Sequence, residues 1–247
     1  MARLVARGFE DPEVKNKSLI NSALMAGRGS NLLLLSLASL RKWTVEQMDV
    51  SGAFLKSDPI QRLAWLQPPL EANLRSTRVW RANKAVYGLA DGPSYFFKTL
   101  DRFLREDEVW TTQAGFIFQP TEVDPCLYKI TEYSPGGEDS RELTPGNVIG
   151  LMTTHVDEIL IAGNAHVVNL VGEILDIRFD KLKHRRLTAN APLKHCGMQI
   201  EQTSEGIVLD QRAYTLSIDA LSYNKQVGPK KIVLESELDG ARVKLGQ

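Results

Sequence analysis

Apolar and polar positions follow two periods along this chain, and each predicts its own elements. Between Arg3 and Arg7, Leu4 and Val5 sit among basic residues, predicting a short strand that ends at Gly8. Leu19, Leu24, Leu32, Leu35 and Leu40 predict a helix over residues 18–42, with Gly27 and Gly29 marking a break in its middle. Val45 to Val50 predicts a strand, followed by a turn-like Ser51-Gly52 and then Ala53-Phe54-Leu55. Pro59 and Pro68-Pro69 bracket a strand containing Leu63, Trp65 and Leu66, and Arg78 to Asn83 alternates as an exposed-face strand does. Pro93 suits the first turn of a helix, and Phe96, Leu100, Phe103 and Leu104 carry that helix to about Arg105.

The second half continues in the same mixture. Phe116 to Phe118 and Cys126 to Ile130 predict strands, and residues 134–147 are a loop by composition. Val148 to Met152 and Ile159 to Ala162 are apolar runs on either side of Thr153-Thr154-His155-Val156-Asp157-Glu158, a strand, a polar tip and a strand. Val167, Leu170, Val171, Ile174 and Leu175 predict an amphipathic helix. Residues 180–194 are basic and irregular; a strand pair near 195–210 and a short helix from Gln211 follow. There is no internal repeat and no strict strand–helix alternation, so the predicted class is α+β rather than a doubly wound sheet.

Composition narrows this little. The length of 247 residues fits one large or two small domains, and 43% hydrophobic with 24% charged residues excludes wholesale disorder. Cys126 and Cys196 cannot make a disulfide scaffold and fit a reducing compartment. The longest apolar run, Leu32 to Leu35 continued by Leu37, Ala38 and Leu40, is about half a membrane span. No basic segment followed by an apolar one opens the chain. The expectation is an intracellular protein, in cytoplasm or nucleus, with no targeting signal and no membrane partner.

Charge changes the picture more. The total balances, 30 Lys and Arg against 30 Asp and Glu, but its distribution does not. The first hundred residues carry 14 basic and 8 acidic side chains, and the next fifty carry 4 and 10. Two basic stretches stand out: Arg75, Arg78, Arg81 and Lys84, then Arg178, Lys181, Lys183, Arg185, Arg186 and Lys194. Charge runs are commonly solvated faces; here they also suit a surface that tracks phosphates.

The acidic residues of interest lie at strand ends. Asp49 closes the strand around Val45 and Met48, and Asp157 and Glu158 occupy the polar tip between two strands. Adjacent carboxylates on a hairpin facing a third on a neighbouring strand suit two divalent cations, about 3.5–4 Å apart in two-metal catalysis. Mg²⁺ takes one or two carboxylates plus substrate phosphates. Acids at turns are the ordinary alternative. A zinc site from Cys126, His184, His195 and Cys196 fits no standard ligand spacing, and Gly27-Arg28-Gly29-Ser30 lacks the Lys of a phosphate loop.

Seven short words occur in order. They are Ala2-Arg3-Leu4-Val5-Ala6-Arg7-Gly8-Phe9, Gln47-Met48-Asp49-Val50-Ser51-Gly52-Ala53-Phe54-Leu55, and Trp65-Leu66-Gln67-Pro68-Pro69. Lys84-Ala85-Val86-Tyr87-Gly88-Leu89 comes next, then Asp124-Pro125-Cys126-Leu127-Tyr128 and His155-Val156-Asp157-Glu158-Ile159-Leu160-Ile161-Ala162-Gly163. Gly206-Ile207-Val208-Leu209-Asp210-Gln211-Arg212-Ala213-Tyr214 closes the series. In this order and spacing the chain resembles the reverse transcriptase domain of copia-type LTR retrotransposons, from residue 2 to about 220.

The resemblance implies an RNA-directed DNA polymerase, a nucleotidyltransferase with a right-hand palm and partial fingers. An antiparallel sheet would pack on helices, with a short thumb remnant. It implies a domain over 1–222, with palm at about 43–65 and 85–183, a palm/thumb junction at about 192–222, and an unassigned tail at 223–247. Asp49, Asp157 and Glu158 match the catalytic carboxylates and, with the Val50 carbonyl, the ligands of two Mg²⁺ ions, with Mn²⁺ as a substitute. Phe54 matches the steric gate that selects deoxynucleoside triphosphates. Arg3 and Arg7 match the strand that meets triphosphate and template, Asp91 and Pro93 the nucleotide-pocket word, and His155 the residue supporting the primer end. The implied partners are an RNA or DNA template with primer. The alternative is an inactive, retrotransposon-derived nucleic-acid-binding remnant.

Several positions depart from the family pattern. Glu158 and His155 replace an Asp and a Tyr of the hairpin motif. Asp91-Gly92-Pro93-Ser94 stands where Gln-x-Pro-Arg is expected, and an Asp91 carboxylate about 4 Å from a triphosphate would cost of order 4 kcal/mol at an effective dielectric near 20. Met1 replaces a Lys, and no RNase H, integrase or protease segment accompanies the domain, so the expectation is an excised or decayed piece of a polyprotein.

Overall fold

A computed structural model describes residues 5–16, 19, 24–69, 78–133 and 148–218. Arg3, Arg75, the 134–147 loop, the first residues of the 18–42 helix and the 223–247 tail lie outside the described residues.

The hairpin predicted from the strand, tip, strand pattern organises the fold. β6 (Val148–His155) and β7 (Glu158–Gly163) pair antiparallel through a two-residue turn at Val156 and Asp157. β1 (Thr44–Asp49) lies against β7, on the side away from β6. β4 (Phe116–Pro120) and β5 (Leu127–Glu132) extend the sheet beyond β6, and β8 (Lys183–Arg186) extends it beyond β1. The order is β4-β5-β6-β7-β1-β8, and each neighbouring pair is antiparallel.

Strand alternation gives the sheet two apolar faces. Met48, Ile159 and Ile161 point to one face, where Phe96, Leu100 and Phe103 of α4 (Gly92–Glu106) and Val171, Leu175 and Phe179 of α5 (Ala165–Phe179) cover them. Val45, Leu160 and Ala162 point to the other, beneath Leu34, Leu35 and Ala38 of α2 (Arg28–Arg41). α2 starts at Gly27, where the glycines predicted a break. Its first turn is capped from a distant loop, since Asp124 accepts hydrogen bonds from Gly27 N at 2.8 Å and from Ser30 Oγ. β9 (Leu193–His195), β10 (Met198–Gln202) and β11 (Ile207–Asp210) form a second sheet, and β2 (Pro59–Leu66) with β3 (Trp80–Lys84) a third.

Most predicted elements are present; α1 (Pro12–Lys15) and a helical turn at Trp110–Ala114 are additional to them, and three further differences bear on the site. Residues 180–194 are not irregular, because β8 occupies 183–186; its four residues are exposed and charged or His, so no alternation betrays it. Val5 to Arg7 is not a strand, although Ala6 N donates to Tyr87 O at 2.7 Å and Gly8 N to Gly88 O at 3.0 Å. Those backbones run so close that a Cβ on Gly8 would meet Gly88 O at 2.0 Å, and Gly88 has φ +87°. Ala53–Lys56 forms one helical turn, α3, that the sequence left unassigned. Among the described residues no helix is long and apolar enough to cross a membrane.

Candidate active site

β1 lies inside the sheet with both faces covered, so its polar residues need partners. Glu46 is buried and receives His184 at 2.7 Å and Arg186 at 2.6 Å. Gln47 is buried and its Nε2 donates to Glu158 Oε1 at 2.6 Å and Lys194 O at 2.7 Å. The strand emerges at its two ends, Thr44 and Asp49, and 43% of the Asp49 side chain is exposed.

Register then brings the sequence-predicted acids to one place. Asp49 pairs with Glu158 across β1 and β7, and Val50 N donates to Asp157 O at 2.9 Å. The hairpin tip is tight enough that Val156, a β-branched residue, takes φ +58°. Such a conformation costs of order 1–3 kcal/mol and persists where the surroundings fix it.

The three carboxylates do not converge, however. Asp49 Oδ1 accepts from Ser51 Oγ at 3.3 Å and lies 3.4 Å from Lys183 Nζ on β8. Glu158 turns toward the second sheet, one oxygen on Gln47 and the other 2.9 Å from His195 Nδ1. His195 is fully buried. Burial disfavours its charged form, but contacts with Cys196 and Glu158 outweigh burial and raise its pKa to about 9. Among the described residues no three His, Cys, Asp or Glu side chains are grouped to hold a metal ion. The reason is the orientation of Glu158; the same holds for Cys126, His184, His195 and Cys196, whose histidines have carboxylate partners instead. Mg²⁺ needs only one or two carboxylates beside substrate phosphates, and the backbone pairing leaves Asp49 and Asp157 on adjoining strand ends. The Val50 carbonyl accepts Ala53 N at 3.1 Å in the adjoining turn.

Residues 1–120 match the reverse transcriptase (RNA-dependent DNA polymerase) family. The chain is 28% identical over 221 residues to a retrovirus-related Pol polyprotein from transposon RE2 of Arabidopsis thaliana, covering 88% of this chain and 13% of that one. It is 28% identical over 217 residues to the Pol polyprotein from transposon TNT 1-94 of Nicotiana tabacum, covering 86% and 14%. Together these matches support a reverse transcriptase domain of copia-like elements. It spans about an eighth of the length of these relatives (13% and 14%). A telomerase structure from Candida tropicalis, in complex with a fragment of telomeric RNA, aligns over 95% of this chain and 40% of that one. Its identity is 9% and its TM-score 0.34, too low to carry an argument.

The remaining family positions are scattered in exposure. Arg7 is exposed, 3.3 Å from Glu10, and lines a groove of about 790 Å³ with Arg62, Trp65 and Trp80. Phe54 is 8% exposed, packed on Tyr87 with ring centroids 4.8 Å apart. Pro93 is in the first turn of α4. His155 ends β6, its ring 6.2 Å from that of His195. Asp91 lies at the start of α4. It is 3% exposed and forms a two-point ion pair with Arg62, Nε to Oδ2 at 2.6 Å and Nη2 to Oδ1 at 3.1 Å. That carboxylate is thus held by a guanidinium that the sequence pattern did not reveal. Arg62, Gln47, Lys183 and His195 were not singled out from sequence for these roles; each partner is tens of residues away and no local spacing announces it.

Proposed function

We propose that this chain is the template-directed DNA-synthesising domain of a copia-like retrotransposon, an RNA-directed DNA polymerase. The observation that supports it most is the placement of Asp49 against the Val156-Asp157 tip, locked by the Val50 to Asp157 hydrogen bond. The six-stranded sheet with α4 and α5 would be the palm, and the second sheet would lie at the palm/thumb junction.

Asp49 and Asp157, with the Val50 carbonyl, would hold two Mg²⁺ or Mn²⁺ ions. When bound, the ions would activate the attacking primer oxygen and stabilise the leaving one. Arg3 and Arg7 offer positive charge to the triphosphate and template. Phe54, wedged on Tyr87, gives a rigid ring edge against a ribose 2′-OH, and the His155 ring supports the primer end.

Primer extension on poly(rA)/oligo(dT) with Mg²⁺ or Mn²⁺ tests this. We expect product from the chain, and loss by about a thousandfold or more in Asp49→Asn and in Asp157→Asn. No product from soluble, folded protein overturns the proposal, and equal extension by Asp49→Asn assigns the product to a contaminant. A second reading, a nucleic-acid-binding remnant without turnover, draws on the Lys183 contact with Asp49 and on the turned-away Glu158. It would show duplex binding without product.

A further inference from the structure

We propose that Glu158 acts as a brace for the hairpin tip, clamped by Gln47 and His195, and that these two are positioning residues for Asp157. Three elements meet on this one carboxylate. Gln47 comes from β1, Glu158 from β7 and His195 from β9, with contacts of 2.6 and 2.9 Å. The same Gln47 amide also reaches the Lys194 backbone carbonyl at 2.7 Å, so β9 is tied to β1 directly and to β7 through Glu158. Gln47 and His195 are buried, while Glu158 between them is 30% exposed.

The tip needs such a brace. Val156 adopts a left-handed φ of 58° that a β-branched residue avoids, and the tip would relax if nothing opposed it. The Val50 N–H to Asp157 C=O bond restrains one side, and the Glu158 clamp restrains the residue immediately after the turn. Glutamate is the residue this geometry requires. An aspartate carboxylate is about 1.5 Å nearer the backbone, short of both Gln47 and His195 as they are placed. The glutamate is thus matched to the second sheet rather than misfitted to a metal.

The inference rests on the polymerase reading for its effect on rate, but not for its effect on the tip. Backbone amide exchange of residues 155–158 reads the tip directly. We expect Glu158→Asp and His195→Ala each to speed exchange there by about tenfold, while Glu158→Gln, which keeps the length and one acceptor oxygen, speeds it less than about threefold. Exchange in Glu158→Asp no faster than in Glu158→Gln overturns the brace, and thermal unfolding of each variant separates local opening from global loss of fold. The rate arm is a separate readout. In a chain that extends primers, His195→Ala lowers kcat by about tenfold with the Mg²⁺ half-saturation unchanged, and Glu158→Gln retains more activity than Glu158→Asp. A tenfold or so rise in Mg²⁺ half-saturation in Glu158→Gln, with Glu158→Asp as active as the parent, makes Glu158 a metal ligand and overturns the proposal. If no variant and no parent extends a primer, the function proposal fails while the exchange result still decides the brace.

Discussion

Arg62 is surrounded by acids: Asp91 at 2.6 Å, Asp11 at 2.9 Å and Glu13 at 3.5 Å. The hydrogen bond and charge of Asp91 outweigh burial and raise the Arg62 pKa above its usual value. Asp91 depends on this guanidinium because little of it meets water. Removing one member of a buried pair leaves the other charged and unsolvated. Arg62→Ala is therefore expected to destabilise the chain by about 3 kcal/mol, read from the urea denaturation midpoint. A loss below about 1 kcal/mol would mean that water reaches Asp91 after all. At this scale the sequence was readable where chemistry follows from position in a strand. Asp49 and Asp157 stand at strand ends, and the register follows from alternating apolar residues. The Arg62–Asp91 and Glu158–His195 pairs were not readable, because a charge shows nothing of its partner until the fold brings the two together.

Among elements, β8 shows most clearly what local pattern misses. Strands are recognised by alternation, yet Lys183, His184, Arg185 and Arg186 are all polar and exposed. What pins them to the sheet is charge. His184 lies 2.7 Å from the buried Glu46 and 3.0 Å from Asp176 of α5, and Arg186 shares Glu46. Burial opposes a proton on His184, but hydrogen bonds with Asp176 and Glu46 outweigh it, so its pKa is raised above 6.5. A raised native pKa means that stabilisation is complete below the unfolded value of 6.5 and is lost as pH climbs through the native one. Asp176 is shifted the other way; burial opposes its charge, but the His184 and Leu182 hydrogen bonds lower its pKa below 3.8, so it acts only in acid. We expect stability to fall as pH rises above about 6.5, with His195, raised to about 9, contributing beside His184, and His184→Gln to make that slope shallower. A slope unchanged in the variant would place its origin in another group. α2 makes the complementary point, since glycines marked its start while its capping residue, Asp124, lies 97 residues from Gly27.

Across the whole molecule, the order of the central sheet gives the charge pattern a geometry. The basic stretch beginning near Arg178 runs into β8, at one edge and beside Asp49. The acidic block following residue 100 contributes β4 and β5, at the opposite edge. The balanced total therefore includes a cationic edge next to the candidate site, while Glu122 and Glu132 lie at the opposite edge. Charged edge strands also discourage pairing between molecules, so solvation alone could explain β8, and salt dependence distinguishes the two roles. Each lysine or arginine that neutralises a phosphate steepens the fall of log affinity with log salt by about 0.9 for duplex DNA. Heteroduplex binding by this chain should weaken steeply with salt, and Lys181→Gln combined with Arg185→Gln should flatten the slope by about 2. Glu122→Gln with Glu132→Gln, at the far edge, should leave the slope unchanged. If the β8 pair does not alter the slope while binding persists, the cationic edge is a solvated face and the nucleic acid runs elsewhere.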